Sequence, residues 1–227
     1  TTPSEGLIIG FAKTASVTIR DAEGINEEKL QALVDECAAL IPEHYTNGWD
    51  VLQEKINAAK EILAAGEAER GQLQAAYSAL ETAKEALVKR EKYTAEDPFC
   101  FPWKAGSSSI LEAEFAETIT ESNPNDRYKV GIREGDWASN GKYINSLNVN
   151  DVVEYPYFAE KTGIYKATLT YQSGSTNNKL SWSEKDNKIK GNEVSAGANN
   201  AAEVHTVEFE FEVLEAGAGT LIFTGPN

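Results

Sequence analysis

The chain has 227 residues, of which 41 % are apolar, and its 36 acidic residues outnumber 21 basic ones to give a net charge of −15. This composition is typical of a folded protein with one large domain or two small ones. A chain this acidic repels phosphate backbones and anionic lipid surfaces, so nucleic acid is excluded as a partner. No apolar run approaches the ~18 residues of a membrane span, and we expect no membrane insertion.

Residues 1–20 fit none of the patterns that follow them. Two short strand-like pieces, residues 7–9 and 17–19, flank a turn. They belong either to the end of a preceding domain or to an added strand of a later sheet. The chain begins with Thr1 instead of Met and lacks a signal-peptide pattern, so we expect a soluble piece excised from a longer protein.

Residues 21–96 carry the spacing of three amphipathic helices. The first segment places its apolar residues on one face at Leu30, Leu33, Val34, Cys37 and Ile41. The second does so at Trp49, Leu52, Ile56, Ala59 and Leu63. The third does so at Leu73, Ala76, Tyr77, Leu80, either Ala83 or Lys84, and Leu87. Three such helices joined by short loops predict an antiparallel three-helix bundle.

The pattern changes after residue 96. Pro98, Pro102 and a Gly-Ser run mark residues 97–109 as a linker. From residue 110 to residue 227 the apolar period is two, most clearly over 165–171 and 207–213, and short strands alternate with Gly, Asn, Asp and Ser clusters. This spacing predicts an antiparallel β-sandwich.

The motifs of common enzyme classes are missing from this sequence. It has no G-x-S-x-G, P-loop, G-x-G-x-x-G or H-E-x-x-H motif. Its histidines are His44 and His205, and its cysteines, Cys37 and Cys100, lack the spacing of a zinc site, while their pairing stays open. We therefore expect that the chain is not an enzyme.

The helical region resembles a known repeat. Residues 45–49, followed by Leu52, Ile56, Ala59 and Leu63, are similar to the FIVAR helical repeat of secreted bacterial cell-surface proteins. The resemblance covers most of residues 30–88. It implies a spacer in an extracellular bacterial context, with no activity of its own.

The sandwich region resembles carbohydrate-binding modules of families 6 and 35, which are jelly-roll sandwiches attached to secreted polysaccharide-degrading enzymes. The supporting segments are residues 110–114, 141–144, 162–167, 171–174, 213–217 and 219–221. The resemblance implies a jelly-roll fold and non-catalytic sugar binding.

Two acidic residues open this region. Glu112 and Glu114 stand two apart, and on a strand they would point to one face and converge on a hard cation. The resemblance implies that this pair holds a structural calcium ion. The alternative is a pair of solvent-facing carboxylates at the start of a strand.

Sugar binding needs flat aromatic faces and amide groups on loops. Trp137 lies in a polar turn and is the first candidate platform, and Tyr143 is the second, although a core tyrosine is the alternative there. The candidate hydrogen-bonding residues, which could equally be turn formers, are Asn177, Asn178, Asn199, Asn200 and Asn227. Residues 197–203 lack the stacking aromatic that many family members carry, and Trp182 is expected in the core.

The leading hypothesis is therefore a secreted or cell-surface glycan-binding segment. It would target a catalytic domain of the same parent chain to a polysaccharide, with the helices as spacer. The alternative is a structural or protein-docking segment whose sandwich has lost its sugar site.

Overall fold

The computed structural model describes residues 24–225, so the segment 1–20 and Asn227 lie outside the described residues. The chain divides into two compact units. Residues 24–40 and 50–86 form the helical unit, and residues 41–49 and 87–225 form the sandwich unit. Residues 41–49 and 87–96, which helical spacing assigns to the first region, thus belong to the second unit.

The three expected helices are present. They are α1 (Glu27–Ala38), α2 (Trp49–Ala65) and α3 (Arg70–Glu85). The Asn26 side chain caps α1 by accepting a hydrogen bond of 2.9 Å from the Lys29 amide. An ion pair of 2.5 Å joins Lys84 of α3 to Glu36 of α1, whereas the antiparallel bundle arrangement stays a prediction.

The buried side chains of the helical unit repeat at the predicted spacing. They include Leu30, Leu33, Val34, Cys37, Leu52, Ile56, Ala59, Leu73, Leu80 and Ala83. Between residues 24 and 225, none of the helices combines the length and apolar character that a bilayer crossing requires.

The sandwich unit contains twelve short strands and two 3₁₀ turns, Pro42–His44 and Ala113–Phe115. The strands are β1 (Tyr45–Asn47), β2 (Val88–Lys89), β3 (Phe99–Cys100), β4 (Thr118–Thr120), β5 (Gly131–Glu134), β6 (Lys142–Asn145), β7 (Val152–Ala159), β8 (Gly163–Tyr171), β9 (Lys179–Glu184), β10 (Asn192–Ser195), β11 (His205–Val213) and β12 (Gly217–Thr224).

The largest sheet has the order β10-β9-β12-β7-β3, and β4 also pairs with β7. Strand β3 runs parallel to β7, with Phe99 opposite Tyr157, so the expectation of an entirely antiparallel sandwich is wrong. A hairpin forces neighbouring strands to be antiparallel, whereas β3 and β7 are separated by a long stretch of chain that permits the parallel direction. Strands β8 and β11, β5 and β6, and β1 and β2 form three further antiparallel pairs.

An aromatic core joins the large sheet to the β8–β11 pair. The Phe101 ring stacks on Tyr157 at 5.0 Å between centroids and meets Phe211 at 5.5 Å. Trp182 contacts Phe211 at 5.5 Å and is buried, which confirms its expected core position. The two layers form a sandwich-like region, and the jelly-roll connectivity stays a prediction.

Candidate ligand-binding site

The site is built on the turn between β5 and β6. The Gly135 amide donates to the Gly141 carbonyl at 2.9 Å, and the Gly141 amide donates to the Ala138 carbonyl at 2.9 Å. Gly141 has φ +69°, a left-handed conformation that favours glycine. These bonds fix the turn that carries Trp137.

Trp137 and Tyr143 lie together on this hairpin. Their ring centroids are 4.8 Å apart with an interplanar angle of 45°, and both side chains are half-buried. A Cβ atom on Gly135 would lie 2.9 Å from Trp137 Nε1 and 2.9 Å from Tyr143 Cε1. Gly135 therefore leaves the space in which the two rings meet.

Both rings line a cavity at the loop end of the sandwich unit. This loop-end cavity has a volume of about 1210 Å³ and is also lined by Asn145, Asn148, Tyr171 and Asn178. A second, interlayer cavity of about 690 Å³ shares Trp137 and Tyr143 and extends inward to Trp182, Phe209 and Phe211. These volumes are of the order of small-ligand pockets.

The predicted asparagines are not brought together. Asn178 lines the loop-end cavity and its Nδ2 donates to Ser173 Oγ at 2.9 Å. Asn177, Asn199 and Asn200 are exposed and line neither of the two cavities described above. Asn200 Oδ1 accepts a hydrogen bond of 3.0 Å from the Ala202 amide, as a turn-forming asparagine does.

Asn145, Asn148 and Tyr171 are among the polar and aromatic residues of the loop-end cavity that sequence reasoning missed. The side-chain Nδ2 of Asn148 donates to the Tyr128 carbonyl at 2.7 Å, and the backbone amide of Asn148 donates to Asp151 Oδ2 at 2.8 Å. An Asn with Asp three residues later is a turn signal that could have identified this loop.

Asp151 forms hydrogen bonds with two segments that line the loop-end cavity. It is 0 % exposed, and its Oδ1 accepts hydrogen bonds from the Ser122 amide at 2.7 Å and the Ser122 hydroxyl at 3.0 Å. Together with the Asn148 amide, these bonds tie the segments around residues 122 and 148 to one carboxylate. Asp151 is a positioning residue of the cavity rim.

The structure contradicts the strand expected at Glu112 and Glu114. Glu114 lies within the 3₁₀ turn Ala113–Phe115, and Glu112 precedes this turn directly. Both residues are 4 % exposed, so the alternative of solvent-facing carboxylates is also wrong. A tight turn, unlike a strand, does not place residues two apart on a common face.

Side-chain donors surround the two carboxylates. His44 Nε2 lies 2.6 Å from Glu112 Oε1, and Ser139 Oγ donates to Glu112 Oε2 at 2.6 Å. Asn140 Nδ2 donates to Glu114 Oε1 at 2.7 Å. Ser139 and Asn140 belong to the turn that carries Trp137, so the two carboxylates also anchor this turn.

These residues fit a calcium ion in part. Glu114 Oε2 is buried and finds no hydrogen-bond partner among residues 24–225, and burial raises the pKa of this carboxyl. Calcium takes six to eight oxygen ligands. Over residues 24–225 there is no group of three or more His, Cys, Asp or Glu residues placed to hold a metal, so backbone carbonyls or residues beyond that range would have to complete the shell.

Comparison with known proteins finds no matching family model and no matching curated protein. Among solved structures, the chain is similar to the C-terminal family 6 carbohydrate-binding module of a marine laminarinase from Zobellia galactanivorans. The identity is 17 %, the TM-score is 0.42, and the match covers 51 % of this chain and 86 % of that chain.

Two further solved structures are similar at the same level. A family 6 module of Cellvibrio mixtus lichenase 5A, in complex with cellotriose, matches at 14 % identity and TM-score 0.40 over 51 % of this chain and 85 % of that chain. A family 35 module from Clostridium thermocellum matches at 17 % identity and TM-score 0.39 over 52 % and 85 %. These values do not assign the chain to either family.

Proposed function

We propose that the sandwich unit binds a glycan in the loop-end cavity without catalysing a reaction. The observation that carries this proposal is the pair of half-buried rings, Trp137 and Tyr143, whose centroids lie 4.8 Å apart beside a cavity that asparagine side chains also line. Aromatic faces accept the apolar C–H side of a pyranose, and amide groups bond its hydroxyls. Asn145, Asn148 and Asn178 supply such amides around the cavity.

The acidic groups around the cavities favour binding over hydrolysis. Among the described residues, Asp126 is the acidic residue that lines the loop-end cavity, and Glu112 is the one that lines the interlayer cavity. A typical glycosidase uses two carboxylates that flank one bond. Neither cavity is lined by two such carboxylates.

The proposal extends to the setting of the chain. We propose that it is part of a secreted or cell-surface bacterial carbohydrate-active protein, with a catalytic domain elsewhere in the same parent chain. The helical unit would act as a spacer of the FIVAR type, and the sandwich unit would target the enzyme to its substrate.

Binding of the full chain to an array of neutral glycans tests the proposed function. We expect Trp137→Ala to weaken binding by about 1 to 3 kcal/mol and to leave the thermal unfolding midpoint nearly unchanged. Phe158→Ala is the matched control, since Phe158 is an exposed aromatic residue that lines neither cavity. Absence of binding to every glycan would overturn the proposal and favour the structural or protein-docking alternative.

We also propose that calcium binds at Glu112 and Glu114. A ligand that binds only the folded state stabilises it, by about 2.7 kcal/mol at 100 times its Kd. Added calcium should therefore raise the melting temperature of the full chain, and EDTA should lower it, with Glu114→Gln as the variant that loses the response. A melting temperature indifferent to both additions would remove calcium from the proposal.

A further inference from the structure

A second aromatic and charged cluster lies outside both cavities. Trp103 is 43 % exposed in the loop that follows β3. Lys161 Nζ lies 4.7 Å from the centre of its ring and Lys104 Nζ lies 5.4 Å from it. In a chain of net charge −15, two ammonium groups gathered at one exposed indole form a local positive site.

The loop that carries Trp103 is anchored at both ends. The Phe101 amide donates to the Phe158 carbonyl at 3.0 Å, and Ser109 Oγ donates to the Cys100 carbonyl at 3.1 Å. Ser107 Oγ closes the tip by donating to the Lys104 carbonyl at 2.6 Å. The indole is therefore presented by a fixed loop.

Lys104 and Lys161 differ from other lysines of the sandwich unit in their ion pairing. Lys179 pairs with Glu193 at 2.5 Å, and Lys166 approaches Glu210 at 3.6 Å. Within residues 24–225, no carboxylate forms an ion pair with Lys104 or Lys161. Their charges are free for an anion, and the cation–π contacts reduce the side-chain entropy that anion binding would cost.

We propose that Trp103, Lys104 and Lys161 form a second carbohydrate subsite that takes an acidic sugar residue such as a uronate. The ammonium groups bind the carboxylate, and the exposed part of the indole contacts the C–H face of the ring. The inference goes beyond the proposed function because the cluster lines neither the loop-end nor the interlayer cavity.

The negative net charge of the chain argues against larger anionic partners such as nucleic acids and membranes. Nucleic acids and anionic membranes present many phosphates over a wide area, and the remaining acidic surface of the chain repels them. One carboxylate on a sugar needs only the two local ammonium groups, because charges beyond the Debye length of about 8 to 10 Å are screened at physiological salt.

The experiment titrates the full chain with tri-galacturonic acid by calorimetry, with xylotriose as the neutral comparison. We expect Lys104→Ala and Lys161→Ala each to weaken tri-galacturonic acid binding about two- to fivefold, and the double variant to weaken it about tenfold. Trp103→Ala should lower the affinity at least as much as one lysine variant. Raising NaCl from about 20 mM to about 200 mM should also weaken binding.

Two controls separate this site from the glycan cavity. Lys190→Ala removes an exposed lysine elsewhere in the sandwich unit and should change nothing. Trp137→Ala should leave tri-galacturonic acid binding intact even where it abolishes neutral glycan binding. No binding by the wild type, binding that depends on Trp137 instead of the lysines, or lysine-dependent binding of DNA or phosphatidylserine vesicles in place of the sugar would each overturn the inference.

Discussion

The helical unit and the sandwich unit bury different kinds of side chain. The fully buried side chains of the helical unit are apolar, with Leu30, Val34, Leu52 and Leu80 at its centre. The sandwich unit buries aromatic rings together with the polar residues Glu112, Glu114, Asp151, Ser173 and Glu184. The described part of the helical unit has no counterpart to these buried polar groups.

Backbone geometry explains this difference. A helix satisfies its own amides, whereas loops between strands leave amides that need other acceptors. Glu184 illustrates the solution, since its Oε2 accepts the amides of Asp186 at 2.9 Å and Lys188 at 2.7 Å. Asp151 does the same at the candidate site, so the loops around the cavity depend on buried carboxylates.

The largest effect is expected in the aromatic core. Phe101 is 6 % exposed and meets Tyr157, Tyr165 and Phe211, so it joins the two layers. Phe101→Ala should lower the free energy of unfolding by about 4 kcal/mol. Phe158→Ala is the matched control, because Phe158 is 42 % exposed and should cost under about 1 kcal/mol. Chemical denaturation measures both, and equal effects would contradict the assigned core.

A smaller effect is expected in the helical unit. Leu80 of α3 is fully buried, and Leu80→Ala should lower the stability of this unit by about 3 kcal/mol. Glycan binding at the loop-end cavity should not change, since the two units bury separate cores. Val51→Ala, at an exposed position of α2, is the control. A parallel loss of glycan affinity in Leu80→Ala would show that the units are coupled.

The third effect links stability to the candidate site. Asp151→Ala removes the acceptor for the Ser122 and Asn148 amides, and we expect a loss of about 2 kcal/mol in unfolding free energy. Glycan affinity should fall as well, because Asn148 lies on the cavity wall. Asp136→Ala, at an exposed aspartate, should leave stability and affinity unchanged. Weaker stability with full affinity would show that Asp151 does not position the cavity.

The helices could be predicted because their signal is local. Residues three and four positions apart, such as Leu52, Ile56 and Ala59, report directly on one helix face. The proximity of Trp137 and Tyr143 is also a local feature, since both residues lie on one short hairpin. Within the asparagine-rich loops, by contrast, spacing does not distinguish Asn178, which lines the cavity, from Asn177 or Asn200, which do not.

Long-range contacts account for what the sequence could not show. His44 meets Glu112 across 68 positions, and no local pattern marks such a pair. Tyr93 falls within residues 21–96, the range predicted as the helical bundle, yet it is buried in the aromatic core of the sandwich unit beside Phe99 and Phe115. The parallel pairing of β3 with β7 is equally invisible in the strand pattern.

The smallest effect concerns the pH dependence of the sandwich unit in EDTA. Burial raises the pKa of Glu114 above its ordinary value of 4.5, so the folded chain holds this proton more tightly than the unfolded chain. As the pH falls from neutral through the raised pKa towards 4.5, the Glu114 contribution should therefore increase the free energy of unfolding. Burial of the unpaired Oε2 charge is the cost that protonation relieves.

Glu114→Gln isolates this contribution, because the amide oxygen still accepts from Asn140 while the charge is gone. In EDTA at neutral pH the variant should be more stable than the wild type by about 1 kcal/mol, and the difference should shrink as the pH falls and Glu114 protonates. Glu134→Gln, at an exposed glutamate of β5, supplies the control with no such difference. Urea unfolding at several pH values measures all three proteins. A Glu114→Gln difference that stays constant with pH would contradict a buried, titrating carboxylate at this position.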